Sequence, residues 1–208
     1  MTDTKTCLAC TGQFCLHDAP GAPDFCPGEA LSEETIQKVK ALYEEEENKR
    51  VSVISAQVEA DFYLKYTRVE EVIEFARRMG YRKLGIATCV GLIRESRTLA
   101  KILRKNGFTV VGAACKVGTF YKSSIGAEPK NPDGPGLIMC NPIMQAELLN
   151  SWNTDLNIVM GLCVGHDSLF YKYSDALVTT LVAKDRVLAH NTVAALYQAE
   201  GYYNKLLK

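Results

Sequence analysis

The sequence predicts an α/β protein: an open, mostly parallel sheet of about four strands with flanking helices, Rossmann-like or flavodoxin-like, preceded by a cysteine-rich segment. Three observations predict it. From Lys83 onward, short apolar runs alternate with helical stretches of about a dozen residues, the rhythm of βα units on a parallel sheet. Residues 1–31 hold four cysteines, three prolines and three glycines and show neither helical nor strand periodicity. Between these regions the apolar residues fall at helical spacing. The expected organisation is therefore a cysteine-rich metal-binding segment over 1–31 and an α/β domain over 32–208, helical over 32–80 and built of βα units over 81–208.

The amino-terminal segment, with "APGAPDFCPGE" at its end, has too little apolar material to fold by burial alone. Ser32 then reads as a helix N-cap, with Glu33 and Glu34 in the first turn and Ile36, Val39, Leu42 and Tyr43 on one face. The run "EEEENKR" reads as a solvated face or helix end. A second helix is expected over Val53–Tyr66, and a third from Thr67 to Gly80 with Val69, Val72, Ile73 and Ala76 inward. Strands are expected at Lys83–Thr88, Thr109–Ala114, Asn157–Leu162 and Leu177–Ala183. The helices between them are expected at Leu92–Asn106, Pro142–Trp152 and from Ser168, with a closing helix over Asn191–Leu207. Gly107 suits a helix stop and Pro142 a first helical position. The stretch 118–136 is too long and too rich in Gly and Pro for a simple connector, and reads as a lid or binding loop.

The 208 residues, 47% hydrophobic and 23% charged, suffice to bury a full core. Lys+Arg and Asp+Glu number 24 each, so no global basic field draws in nucleic acid or an anionic membrane, and a small-molecule or metal ligand is the expected partner. A polar start from Met1 to Lys5, with no later run of the roughly 18 apolar residues that span a bilayer, predicts a cytoplasmic protein. Oligomeric state is left open. In a reducing compartment, eight cysteines point to metal or thiol chemistry rather than to disulfides.

Cys89, Cys115 and Cys163 each follow an expected strand, and parallel strands joined by crossovers point their carboxyl ends to one edge. That edge is also where open α/β sheets bind ligands. Cys140, at the end of the Gly/Pro-rich stretch and before Pro142, is expected to reach the same rim. Alone, each cysteine is most simply a small buried hydrophobe. Four on one edge, Cys89, Cys115, Cys140 and Cys163, form a candidate cofactor-binding set. "CVG" occurs at both 89–91 and 163–165, and a glycine there permits a tight turn that aims helix N–H groups at the sulfur. His166 beside Cys163 is a candidate ligand or base, and Asp167 either orients it or caps the next helix. Cys163, His166 and Cys89 are thus the candidate catalytic residues.

A second pattern is Cys7-x2-Cys10-x4-Cys15-x10-Cys26, with His17 nearby as a surface residue. The C-x2-C pair is the spacing of a metal knuckle, and four sulfurs satisfy tetrahedral zinc or an iron–sulfur cluster. The spacings match neither standard ferredoxin run, so the choice between zinc and iron–sulfur stays open.

The quartet, together with "CNPIMQAELLN", "TDLNIVMGLCVGHDSLF" and "VTTLVAKDRVLAHN", resembles an uncharacterised cysteine-rich family of bacterial and archaeal proteins, the domain of unknown function 1847. The resemblance covers essentially the whole chain, and its most specific part is Cys140 to Asn191. It implies metal binding, with Cys7, Cys10, Cys15, Cys26, Cys140 and Cys163 as the matching cysteines, and implies no particular activity.

Two principal functions compete, with enzymatic status open. The first is a metal-binding α/β protein, zinc or iron–sulfur, with a cysteine-lined pocket at the carboxyl edge of the sheet that also suits redox chemistry. The second is a thiol-dependent enzyme, oxidoreductase or sulfurtransferase, using Cys89 or Cys163 as nucleophile; Cys89 and Arg94 are spaced as in a sulfurtransferase loop. A non-catalytic module binding a small anion is a further option, whereas no G-x-G-x-x-G or phosphate-loop motif supports nucleotide binding. His190 and Asn191 read as the capping region of the final helix.

Overall fold

The computed structural model describes residues 5–17, 20–128, 134 and 136–208, and the chain divides into two units, Met1–Ala56 and Gln57–Lys208. In the first unit a 3₁₀ turn at Cys7–Ala9 precedes α1 (Phe14–His17) and α2 (Glu33–Glu44). Ser32 Oγ accepts from the Thr35 N–H at 3.2 Å, which satisfies one of the donors a helix start leaves over. The next helix, α3 (Glu46–Phe62), starts earlier than expected and runs straight through most of the acidic stretch. Glu46 and Glu47 occupy its first turn, where negative charge is favoured, and Lys49 pairs with Glu44 at 2.8 Å. The division between the units falls within α3.

In the second unit α4 (Arg68–Arg78) opens on a full capping box between Thr67 and Glu70. There follow β1 (Lys83–Thr88), a 3₁₀ turn at Val90–Leu92, α5 (Ile93–Lys105), β2 (Thr109–Ala114), α6 (Pro142–Ser151), β3 (Leu156–Met160), α7 (His166–Tyr173) and β4 (Leu177–Val182). All three strand pairs are parallel and the spatial order is β2-β1-β3-β4. The chain leaves β1 to one side through α5 and later crosses back to build β3 on β1's other side. Strand order therefore reverses between β1 and β3.

Alternation along the strands feeds two cores. Leu84 and Ile86 of β1 and Leu156, Ile158 and Met160 of β3 pack with α4 and α5 through Val72, Ile73, Ala76, Leu99 and Leu103. On the other face Ala87 and Val159 pack with Ala146 and Leu149 of α6 and Phe170 of α7. Cys89 and Cys115 belong to this second core, so they are packing residues as well as rim residues. Each face carries helices, the double cover that all-parallel sheets need.

One polar residue crosses the second core. Asn157, fully buried, donates to Ser174 Oγ and accepts from Thr154 Oγ1, both at 2.8 Å. Its neighbour Gly85 leaves it room: a Cβ there would meet Asn157 Oδ1 at 2.0 Å.

Beyond α3, further boundaries differ from the sequence expectation. β3 stops at Met160 because Gly161 turns left-handed, φ +69°, and α7 begins at His166 rather than Ser168. The closing helix expected over Asn191–Leu207 is only α8 (Val193–Tyr197) and a 3₁₀ turn at Asn204–Leu207. Its apolar side chains Leu196, Tyr197, Tyr202, Leu206 and Leu207 are exposed, so no packed face holds a longer helix together. Part of the long stretch between β2 and α6 (129–133 and 135) lies outside the described residues. No helix among the described residues is long and apolar enough to cross a membrane.

Gly85→Ala is expected to lower stability by about 2 kcal/mol through overpacking against Asn157, read as a reduced urea midpoint at unchanged slope.

Candidate metal centre

The backbone ladder continues one residue past β1 and β2. Cys89 N–H donates to Met160 O at 3.0 Å and Cys115 N–H to Thr88 O at 2.8 Å, which sets these two cysteines on adjacent chains at the carboxyl edge. Cys140 arrives by a different route. Asn141 N–H donates to Cys115 O at 2.7 Å, and Asn141 Oδ1 caps α6 by accepting from Met144 N–H at 3.1 Å. The preceding stretch is closed at its base by an antiparallel bridge between Tyr121 and Ile138, by Met139 N–H on Phe120 O at 2.8 Å, and by Lys116 Nζ on Ile138 O. Cys163 follows β3, and the left-handed Gly165, φ +81°, turns the chain into α7 and brings His166 back toward it.

Beneath the rim Gln145 is fully buried, and its Nε2 donates to Thr88 O at 3.2 Å and Ala113 O at 2.7 Å. It clamps α6 to the ends of β1 and β2. Sequence reasoning passed over this residue, because an amide inside an amphipathic helix carries no pattern signal.

Cys89, Cys115, Cys140 and Cys163 all line one cavity of about 790 Å³, and all eight cysteines of the chain are unbridged. Ligand atoms of Cys140, Cys163 and His166 lie within 4.8 Å of one another. Among the described residues no other group of three metal-capable side chains converges so closely, and the amino-terminal quartet does not. In that quartet Cys7 and Cys10 flank one turn, with Cys10 N–H on Cys7 O at 3.2 Å, while Cys7 and Cys15 are exposed. His17 is exposed.

Thiol chemistry at the rim is graded by hydrogen bonding. Cys115, the middle sulfur, keeps its proton: contact with Cys140 and Cys89, then burial, push its thiol up. Cys89 is pulled down, first by the bond from Cys115, against burial, with help from the Gly91 N–H at 3.4 Å and from Lys184. Cys140 is pulled down for the same first reason, against burial, aided by the electrostatic influence of Lys116 and His166. The turn after Cys89 therefore aims an N–H at sulfur as its sequence implied. At Cys163 the donor is instead a side chain, Arg186 Nη2 at 3.0 Å. Asp167 sits in the first turn of α7 and accepts from Ser168 N–H at 2.8 Å, while Gly165 holds the cap position.

Two buried polar atoms lack a partner among the described residues, His166 Nδ1 and Gln145 Oε1. Both residues border an inner pocket shared with Cys89, Cys115, Cys140 and Cys163, and it is too tight for a water molecule. Leaving such atoms unsatisfied costs about 1–3 kcal/mol each. A bare ion fits where water does not: tetrahedral zinc with Zn–S bonds of about 2.3 Å needs its ligand atoms about 3.8 Å apart, a small contraction from the observed spread.

Arg94, paired with Cys89 in the sulfurtransferase spacing, is exposed on α5 and is not part of the cavity wall. Lys184, Asp185, Arg186 and His190, beyond β4, do line it. His190 does not cap the final helix; its Nδ1 accepts from Asp185 N–H at 3.1 Å and pins the turn after β4.

Fold and site together define a doubly wound α/β protein with a thiol- and imidazole-lined cavity at the point where strand order reverses. The chain belongs to the family described as "Protein of unknown function (DUF1847)", which matches residues 26–181. That match takes in Cys26 and the four rim cysteines. The chain is also 48% identical over 181 residues to "Uncharacterized protein MJ0455" of Methanocaldococcus jannaschii, across 87% of this chain and 92% of that protein.

Iodoacetamide labelling of chelator-treated protein, read residue by residue by mass spectrometry, is expected to modify Cys140 at pH values well below the ordinary thiol pKa of about 8.5. Cys115→Ala removes the donor that holds the Cys140 charge, and is expected to raise that labelling profile by about one unit or more.

Proposed function

We propose that this chain is a metalloprotein whose rim residues Cys140, Cys163 and His166 hold a thiophilic ion, zinc in the first instance. The convergence of these three ligand atoms within 4.8 Å is the observation that carries the reading. The orphaned His166 Nδ1 supports it, since coordination satisfies what no hydrogen bond does. Two sulfurs and one imidazole suit zinc, and are the kind of set that leaves a fourth position for a substrate or water. All three residues line the large cavity, which gives a small molecule access to that position. Bound zinc supplies Lewis-acid chemistry there.

The residues around the ion have separate tasks in this proposal. Cys115 is the protonated member that steadies the charge on Cys89 and Cys140. Arg186 steadies Cys163, and Gln145 fixes α6, and with it Cys140, against the sheet edge. Cytoplasmic location is part of the proposal, since reduced thiols are the form in which these residues act. The amino-terminal quartet Cys7, Cys10, Cys15 and Cys26 is proposed as a separate, structural metal site on its spacing, with the turn between Cys7 and Cys10 as its knuckle.

A second reading has one observation in its favour: Cys89, pulled down first by the bond from Cys115, has further donors in the Gly91 N–H and Lys184, none of which belongs to the three converging ligands. In that reading Cys89 is the nucleophile of a thiol enzyme.

Elemental analysis of anaerobically purified protein is expected to find zinc, with Cys140→Ser, Cys163→Ser and His166→Ala each reducing it by about one equivalent per chain. Iron with broad visible absorption selects a cluster instead of zinc. If the parent protein holds neither metal and Cys89→Ser alone abolishes reactivity toward disulfide reagents, the thiol-enzyme reading takes its place.

A further inference from the structure

A protein with no net charge gathers four cations around one cavity: Lys116, Lys122, Lys184 and Arg186. The only carboxylate on the cavity wall among the described residues is Asp185, and its Oδ1 is turned back onto the Val187 and Leu188 N–H groups at 2.9 and 2.8 Å. Among the described residues none of the four cations forms an ion pair with a carboxylate. Lys116 and Lys122 donate to backbone carbonyls, Ile138 O and Gly136 O, in the residues that lead into Cys140. Lys184 and Arg186 instead face the sulfurs, Lys184 at Cys89 and Arg186 at Cys163. Between these charges the wall is apolar, with Met139, Ile143 and Leu169 among its members.

We propose that this cavity receives a small amphipathic organic anion, its charged head on Lys184 and Arg186 above Cys163 and its apolar body against Met139, Ile143 and Leu169. The inference rests on the metal reading for where the head lies, and deepens it by naming the substrate class.

Charge balance is the argument. Lys184 and Arg186 face the sulfurs of Cys89 and Cys163, and among the described residues no carboxylate pairs with either cation. Cations at a cavity mouth with no carboxylate partner attract an anion from solution, and guanidinium and ammonium donors bind an oxyanion head more strongly than a neutral amide. Apolar walls then select anions that carry a hydrocarbon body over inorganic ones. The backbone at the mouth is held in an unfavourable form, since Ala189 and His190 are left-handed at φ +50° and +68°; such strain gathers where a structure fixes a binding surface.

The test is calorimetric titration of the full chain, its zinc content measured first, with phenylacetate, hexanoate and phenylphosphonate as probes and phenylacetamide as the neutral control. At least one anion is expected to bind about tenfold or more tightly than the amide. Raising salt is expected to weaken the anion and leave the amide unchanged. Lys184→Gln and Arg186→Gln, on protein with unaltered circular dichroism, are each expected to erase most of the preference. The proposal is overturned if all three anions bind no better than the amide, or if both variants keep the full preference. Protein without zinc that still prefers the anions removes the metal reading and leaves this one standing; zinc-loaded protein without the preference does the reverse.

Discussion

The whole arrangement depends on the parallel pairing of β1 with β3. Because the two strands run the same way in register from Leu84↔Leu156 to Thr88↔Met160, both chains reach the same edge together, and Cys89 and Cys163, which come after them, line one cavity there. Strand order reverses at this pair, so no crossover helix covers the gap between their ends. A crevice is left where two chain turns, and the residues they carry, face one another. Everything else at the rim is brought to that crevice: Cys115 by β2, Cys140 by the capped start of α6, and Lys184 and Arg186 by the exit from β4.

Holding sulfurs in contact is costly unless their protons and charges are shared out. The hydrogen-bonded row Cys89, Cys115 and Cys140 does so by keeping the middle thiol neutral and its neighbours charged. Gln145 below and the cationic wall above stabilise that distribution, one by fixing position and the other by field. The same features that make a thiolate cluster tolerable make it ready for a thiophilic ion, which is why packing in the second core and ligand supply at its upper edge are served by the same residues.

Much of this was legible in the sequence, for reasons that can be named. β1, β2 and β4 are short apolar runs between turn signals, and α2, α4 and α6 begin on Ser32, Thr67 and Asn141, residues whose capping chemistry is local. That Cys89, Cys115 and Cys163 reach one edge follows from topology alone. What was not legible depends on contacts far apart in the chain. The full length of α3 was obscured because a run of acids reads as surface, although these residues favour helix when Glu46 and Glu47 sit in the first turn. The final helix was overextended because apolar spacing signals a face but not a partner for it. Lys184 and Arg186 were missed although the rule that located the cysteines applies to β4 as well: its carboxyl end delivers residues to the same rim, whatever their type. The unpartnered His166 Nδ1 is a property of packing that no spacing encodes.

The most direct measurement is an anomalous difference map at the zinc absorption edge from crystals of the zinc-loaded protein. The account predicts a peak about 2.3 Å from the sulfurs of Cys140 and Cys163 and about 2.1 Å from a ring nitrogen of His166. A map with zinc elsewhere and none at these three residues, in protein whose rim thiols are reduced, would contradict it.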